Sequence, residues 1–426
     1  MISKNIFATL FLFILNKNKY KMKTNVLKTT AVIVLTLSLF SCGNDDDVTT
    51  ENINAVSKTD VTANYGNIVY QTYLDSYNSA VDMQTTINAF VTTPNQANFD
   101  LAKTAWLDAR EFYGLTEAFR ECNGPVDTES NAWSLGSEGQ MNAWPIDESY
   151  IDYVAAGTED YANDYDSIIG DDSVTIDQTT ITGLNEDIND KSISTGWHAI
   201  EFLLWGQDNT MPVDDLPGTR AFTDYTTADH ADRRALYLQT ATNVLVNDLN
   251  ALTTTWSPGG TYRVVFDNLS DDIALRQLIN GAFFIAGDEL SSERIIAPVD
   301  STDGIGGLGQ EDEHSCFSDN THRDIYANAK GVYNVVFGDY NAITGASFYD
   351  LVKQANPTQA ATLKTAADNA MDKVNAIGNN TQPFDYLITL ESSTDSNFGI
   401  VMQSVQALQD WADEISASAD AIGISL

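Results

Sequence analysis

An all-α fold of two helix-bundle halves is what this sequence predicts, and three observations carry that expectation. Apolar residues recur every three or four positions almost throughout. Strand-like alternation is confined to short pieces such as Tyr262 to Phe266. The periodic stretches also divide into two sets of about four, on either side of Ser257-Pro258-Gly259-Gly260.

Taken in order, Val69, Tyr73, Tyr77, Ala80, Met83, Ile87 and Phe90 predict a helix near 56–93, ended by Thr93-Pro94. Phe99, Ala102, Trp106, Ala109, Phe112, Thr116 and Phe119 predict another near 95–121. A third is expected near 180–206, and a fourth near 229–256 on the stripe Ala235, Leu238, Thr242, Leu245, Leu249, Leu252 and Trp256. Beyond the linker, helices are expected near 271–297, 322–337, 357–377 and 396–423, the last on Val401, Val405, Leu408, Ala412, Ile415, Ala419 and Ile422. An N-terminal bundle over 56–256 and a C-terminal bundle over 257–426 follow. Arg120 precedes Pro125-Val126-Asp127 as Arg294 precedes Pro298-Val299-Asp300, each at a predicted helix end, so the two bundles read as a pseudo-duplicated unit.

The first residues have a different logic. Lys23 and Lys28 precede an apolar run, Thr29 to Phe40, that is too short to span a bilayer, and Ser41 stands before Cys42. This is the pattern of a lipoprotein signal peptide over 1–41, with Met22 a sufficient start and Cys42 the lipidated first residue of the mature chain. Residues 42–55, beginning Gly43-Asn44-Asp45-Asp46-Asp47 after the cysteine, form an acidic tether. The expected location is the cell envelope, anchored to the outer membrane on its periplasmic or surface face.

With 60 acidic against 22 basic residues and a formal charge of −38, the chain lacks the basic face that nucleic-acid binding requires. Acidity favours the approach of cations without defining a site for them. Cys122 and Cys316 are the two cysteines left besides Cys42, and in an oxidising compartment they are candidates for one disulfide.

Three stretches hold more polar and aromatic residues than a bundle needs. One runs from Glu117 and Arg120 through Asp127 and on to Asn142-Ala143-Trp144-Pro145-Ile146-Asp147. The second is Gly196-Trp197-His198-Ala199-Ile200-Glu201. The third, Glu311 to Asp324, contains His314 and His322, two of the chain's four histidines. His198 and Glu201, three apart on a helix, emerge on one face and offer an imidazole and a carboxylate, a pair suited to iron or another borderline divalent ion such as zinc. A helical His-Glu ion pair without metal would leave the same trace.

The segment Gly196 to Gly206 resembles the Gly-x-His-x-x-Glu signature of the imelysin-like family. Ala109-Arg110-Glu111-Phe112-Tyr113, Glu117 to Arg120, Asn142 to Pro145, Glu289 to Arg294 and Glu313 to His322 resemble further parts of that family in the same order. The resemblance implies an all-helical fold in two halves, a polar site near their junction and a role in bacterial iron acquisition. On that reading His198 and Glu201 are metal ligands, and Glu117, Arg120, Asp147, Glu289, Arg294, His314, Asp319 and His322 are candidates to complete the site. The expected cargo is iron or an iron chelate, passed to an iron or haem transport system. The family also includes a peptidase, so a metallopeptidase is an alternative. The sequence has no His-Glu-x-x-His, so a peptidase would need His314 or His322 to complete its zinc shell. A surface module that captures haem, protein or glycan in a bundle-junction pocket is a third reading.

Overall fold

The computed structural model describes residues 55–127, 138–154 and 167–426. The expected signal peptide, Cys42 and nearly all of the expected tether lie outside the described residues. Helices dominate, and the two strands seen are the two-residue arms of a hairpin, Asp339–Tyr340 and Ile343–Thr344. The long helices are α1 (Lys58–Thr92), α2 (Gln96–Gly114), α3 (Gly196–Trp205), α4 (Ala231–Trp256), α5 (Asp271–Phe284), α6 (Thr321–Phe337), α7 (Pro357–Gly378) and α8 (Ile400–Ala421).

α1 begins at a capping box in which Ser57 and Asp60 bond each other's backbone N–H groups. Thr93 ends it, and the Asn95 side chain caps α2 through the N–H of Asn98, so the two helices fold back on each other. α4 packs along α1, and α7 packs along α8. α6 crosses between these groups, touching α2, the 3-10 turn Leu115–Phe119, and α7. Its approach is close because both sides supply glycine at the crossing. A Cβ on Gly114 would stand 2.6 Å from the Ala327 Cβ, and one on Gly331 would stand 2.5 Å from the Leu115 carbonyl oxygen. This crossing brings the third polar stretch against the first.

The structure differs from the expected elements at several places, including a helix at Phe348–Ala355 that no stripe predicted and an end of α2 at Gly114, where a 3-10 turn follows. The helix expected over 180–206 is two, Gln178–Leu184 and α3, because Ser192 to Thr195 bond sideways instead of continuing a helix. There Ser194 Oγ donates to the Ile181 carbonyl and Thr195 Oγ1 to that of Gln140. Tyr262 to Phe266 is helical within Thr261–Asp267, and its alternation is that of an i, i+4 pair, Tyr262 and Phe266, packed on Trp256 with Val264 and Val265 exposed. Phe112 is exposed, since the buried face of α2 runs through Ala109, Arg110 and Tyr113. Finally, α5 passes into a π-helix over Ile285–Ile296, the wider winding that carries Glu289 and Arg294.

Cys122 and Cys316 are both free and buried, which corrects the expected disulfide. Cys122 lies 3.6 Å from the Tyr65 hydroxyl and 3.2 Å from the Arg120 carbonyl oxygen. Burial pushes both thiols up, Cys316 further so beside Glu311 and Glu201, and protonated buried thiols are inert.

Candidate metal centre

α3 is buried on every side. Gly196 opens it at φ +89°, and a Cβ there would stand 2.4 Å from the Met141 carbonyl oxygen, so both conformation and space require glycine. That contact sets the helix start directly against the Gln140 to Trp144 segment. One turn in, the His198 and Glu201 side chains meet, with Nδ1 2.9 Å from Oε2. The other carboxylate oxygen of Glu201 accepts from the Ser318 backbone N–H at 3.0 Å and the Ser318 hydroxyl at 2.7 Å. Both Glu201 oxygens are thereby engaged.

His314 faces His198 edge to face, the rings 4.5 Å apart at 72°. Its Nδ1 stands 2.9 Å from Asp324 Oδ2 on α6. Arg110 of α2 grips the same carboxylate through Nε at 3.1 Å and Nη2 at 3.0 Å, and its Nη2 is also 3.1 Å from His314 Nδ1. The remaining arm of Arg110 donates to the Asn142 side-chain oxygen. Trp144 closes the centre, its ring 4.9 Å from that of His198.

Each imidazole thus has a carboxylate behind Nδ1, the arrangement that orients histidines bound to metal. Each also has a buried Nε2 without a hydrogen-bond partner among the described residues. Burial, reinforced by His314 and Arg110, holds His198 far below its ordinary value; burial and Arg294 bring His314 to about 3. Both rings are neutral at physiological pH and able to donate a lone pair. Burial alone would raise Asp324, but Arg110 and His314 hold it well below the usual carboxylate range. Glu201 has no cation in bonding contact, and burial pushes it up to about 8 against the pull of Ser318.

His314 also lines an open cavity of about 340 Å³ together with Trp144, Asn142, Glu138, Arg120 and Arg294. On its far side Glu117, Arg120, Glu289 and Arg294 close a box. Glu117 Oε2 accepts from both arginines at 2.9 Å, and Glu289 Oε1 accepts from Arg120 at 2.8 Å and Arg294 at 2.9 Å. Four residues singled out in the sequence, from stretches at least 169 residues apart, therefore come together as paired charges beside the histidines.

Three other candidates stand elsewhere. The Asp147 carboxylate accepts from Ser149 Oγ at 2.6 Å, at the head of the short helix Glu148–Ile151. Asp319 and His322 line a different cavity, of about 170 Å³. Asp319 there joins Asp208 and Asp385, and among the described residues these three bring ligand atoms within 4.8 Å of one another. Burial and mutual repulsion push Asp319 up to about 9 and Asp385 to about 6.

Residues 69–415 match the family described as imelysin, peptidase M75. The chain belongs to the imelysin family. Iron-regulated protein A of Synechococcus elongatus is 23% identical over 305 residues, covering 69% of this chain and 68% of that relative. A crystal structure described as an iron-regulated protein A precursor from Parabacteroides distasonis matches with a TM-score of 0.64 at 19% identity, covering 87% of this chain and 97% of that one. The likeness establishes a common fold, and the all-α architecture expected from the sequence is that imelysin fold. Gly196, His198 and Glu201, the residues that resemble the family's Gly-x-His-x-x-Glu pattern, fall within the matched span. Gly196 permits the close approach, Glu201 stands against Nδ1 of His198, and the Nε2 of that ring is buried without a partner among the described residues.

Sequence reasoning gave no role to Arg110, Asn142, Trp144, Ser318 or Asp324. Asp324 falls in the first turn of a helix, where an acidic residue is commonplace. The signal that could have found it was an arginine inside the buried stripe of α2, since a buried guanidinium needs a carboxylate somewhere.

Proposed function

We propose that this imelysin captures iron, bare or chelated, between His198 and His314, and serves iron uptake at the bacterial envelope. The observation that carries this reading is the pair of buried, unpartnered Nε2 atoms in rings 4.5 Å apart, each backed by a carboxylate at Nδ1. Two neutral imidazoles suit a borderline ion, with zinc as a competitor to ferrous iron. Among the described residues no third His, Cys, Asp or Glu ligand atom joins them within 4.8 Å. The remaining coordination positions therefore belong to water or to the donor atoms of a chelator, for which the cavity beside His314 has room. The names of the relatives point the same way, since both are iron-regulated proteins.

Capture is favoured over peptide hydrolysis because Glu201, the carboxylate a hydrolytic site would use as general base, has both oxygens tied to His198 and Ser318. We place the protein on the envelope through lipidated Cys42, within reach of an iron or haem transport system. Support comes from the charged and apolar pattern of residues 23–42. Titration of the metal-free protein with ferrous iron under anaerobic conditions tests the site. One equivalent should bind, and either His198→Ala or His314→Ala should abolish it while circular dichroism stays unchanged. Unaltered binding in both variants would refute the assignment.

A further inference from the structure

We propose that Asp208, Glu313, Asp319 and Asp385 form a second cation site, for a hard divalent ion of the calcium class, distinct from the histidine pair. The four carboxylates come from three separated parts of the chain. Asp208 lies just past the end of α3, Glu313 and Asp319 lie on the loop before α6, and Asp385 lies on the short helix Phe384–Ile388. One oxygen each from Asp208, Asp319 and Asp385 falls within 4.8 Å of the others.

Glu313 supplies the independent indication of a ligand. It is 1% exposed, among the described residues neither of its oxygens has a partner at hydrogen-bond distance in good geometry, Thr321 and Asp385 interacting with it only more weakly, and its strongest charged neighbours are Asp385, Asp319 and Asp208. Both oxygens of Asp319 are likewise buried and unpartnered. By contrast Asp208 is fixed, accepting from the Thr210 N–H and hydroxyl at 2.9 Å and from the Gln310 amide at 3.3 Å. The strongest charged neighbours of Asp319 and Asp385 are again carboxylates, and among the described residues no guanidinium or ammonium forms an ion pair with the group. Buried carboxylates without a counter-charge are costly, and an external cation is what the geometry calls for.

Donor type selects the class of ion. Every donor is an oxygen, which disfavours metals that prefer imidazole or thiolate. Calcium accepts six to eight oxygen ligands at about 2.4 Å in flexible geometry, which suits carboxylates gathered from three separated segments, whereas magnesium demands a near-ideal octahedron and retains several waters. The 170 Å³ cavity that reaches Asp319 is also lined by Asp215, Asn380 and Gln382, giving the ion a path inward and further oxygen donors. Such an ion would fasten the exit of α3 to the loop before α6. That loop holds His314 next to Glu313 and Ser318 next to Asp319, so the cation would brace two groups of the histidine centre from behind.

Calorimetric titration of chelator-stripped full-length protein with calcium chloride tests the site. One equivalent should bind, and a hundredfold excess over Kd should raise Tm by roughly 3–6 °C. Asp319→Asn and Asp385→Asn should each weaken calcium binding at least ~10-fold. Glu313→Gln provides a third variant should either fail to fold. His198→Ala should bind calcium as the unaltered protein does, which separates this site from the iron centre. No heat and no Tm shift at millimolar calcium would overturn the proposal, as would unchanged affinity in the variants or displacement of calcium by stoichiometric ferric citrate.

Discussion

The histidine centre and the aspartate cluster are both buried, polar and built around the loop 313–319, yet they treat charge in opposite ways. Around the histidines, Asp324 is paired with Arg110, and Glu117 and Glu289 are paired with Arg120 and Arg294. The groups left open there are neutral lone pairs. In the cluster, Glu313 and Asp319 have no cation in bonding contact among the described residues, and the groups left open are carboxylate oxygens. The first region can stand empty at little electrostatic cost and suits reversible exchange of a borderline metal. The second is strained by its own charge until a cation or protons arrive, which suits a resident structural ion.

The largest effect expected from breaking this contrast is at Asp324. Asp324→Ala would strand the Arg110 guanidinium, both residues being 1% exposed in their side chains, at a cost of about 3–5 kcal/mol in urea unfolding. A loss below ~1 kcal/mol would show that the pair does not neutralise the centre. Next in size is Glu201→Gln. Its amide oxygen would stay with the Ser318 donors and turn an NH2 group toward His198 Nδ1 in place of the carboxyl oxygen, and metal affinity should fall about 10–100-fold with folding retained. An abolished signal would instead make Glu201 a ligand, while no change would leave it without a role.

A pH series sharpens the comparison further. In calcium-free protein Asp319 at about 9, Glu201 at about 8 and Asp385 at about 6 hold protons that the unfolded chain has released. The folded state then binds more protons, so their stabilising contribution is complete below about pH 4 and is lost as pH rises through these values. The depressed histidines act oppositely, but only below about pH 6.5, so the window to read is about 6.5 to 9. Tm should fall across it, less steeply with calcium present or in the Asp319→Asn variant. A rising Tm would contradict this assignment of protons. The smallest effect expected is coupling between the sites: calcium should tighten iron binding by roughly fivefold, about 1 kcal/mol, by fixing the loop that carries His314.

The helices were legible because a buried stripe leaves a periodic trace, and α1, α4, α7 and α8 lie within a few residues of where their stripes place them. The break between Leu184 and Gly196 was not legible, since Ser194 and Thr195 leave the helix to reach backbone carbonyls that the sequence does not show. At the centre, His198 and Glu201 were readable as an i, i+3 pair, a purely local relation. Their partners were readable only as unusual residues. His314 meets His198 across more than a hundred residues, through the glycine-permitted crossing of α6 over α2, and no spacing encodes that. The aspartate cluster was the least legible part, because Asp208 and Asp385 sit in ordinary surroundings of a chain with 60 acidic residues and become distinctive only when brought beside Glu313.

The most direct test of the histidine pair as the iron site is anaerobic ferrous iron titration of the unaltered protein beside His314→Ala, a residue outside the Gly-x-His-x-x-Glu signature. One tightly bound iron is expected in the first and none in the second, with calcium binding intact in both. Equal iron binding by the two proteins would contradict the assignment, because the metal would then rest on the signature residues or on the carboxylates without the facing imidazole.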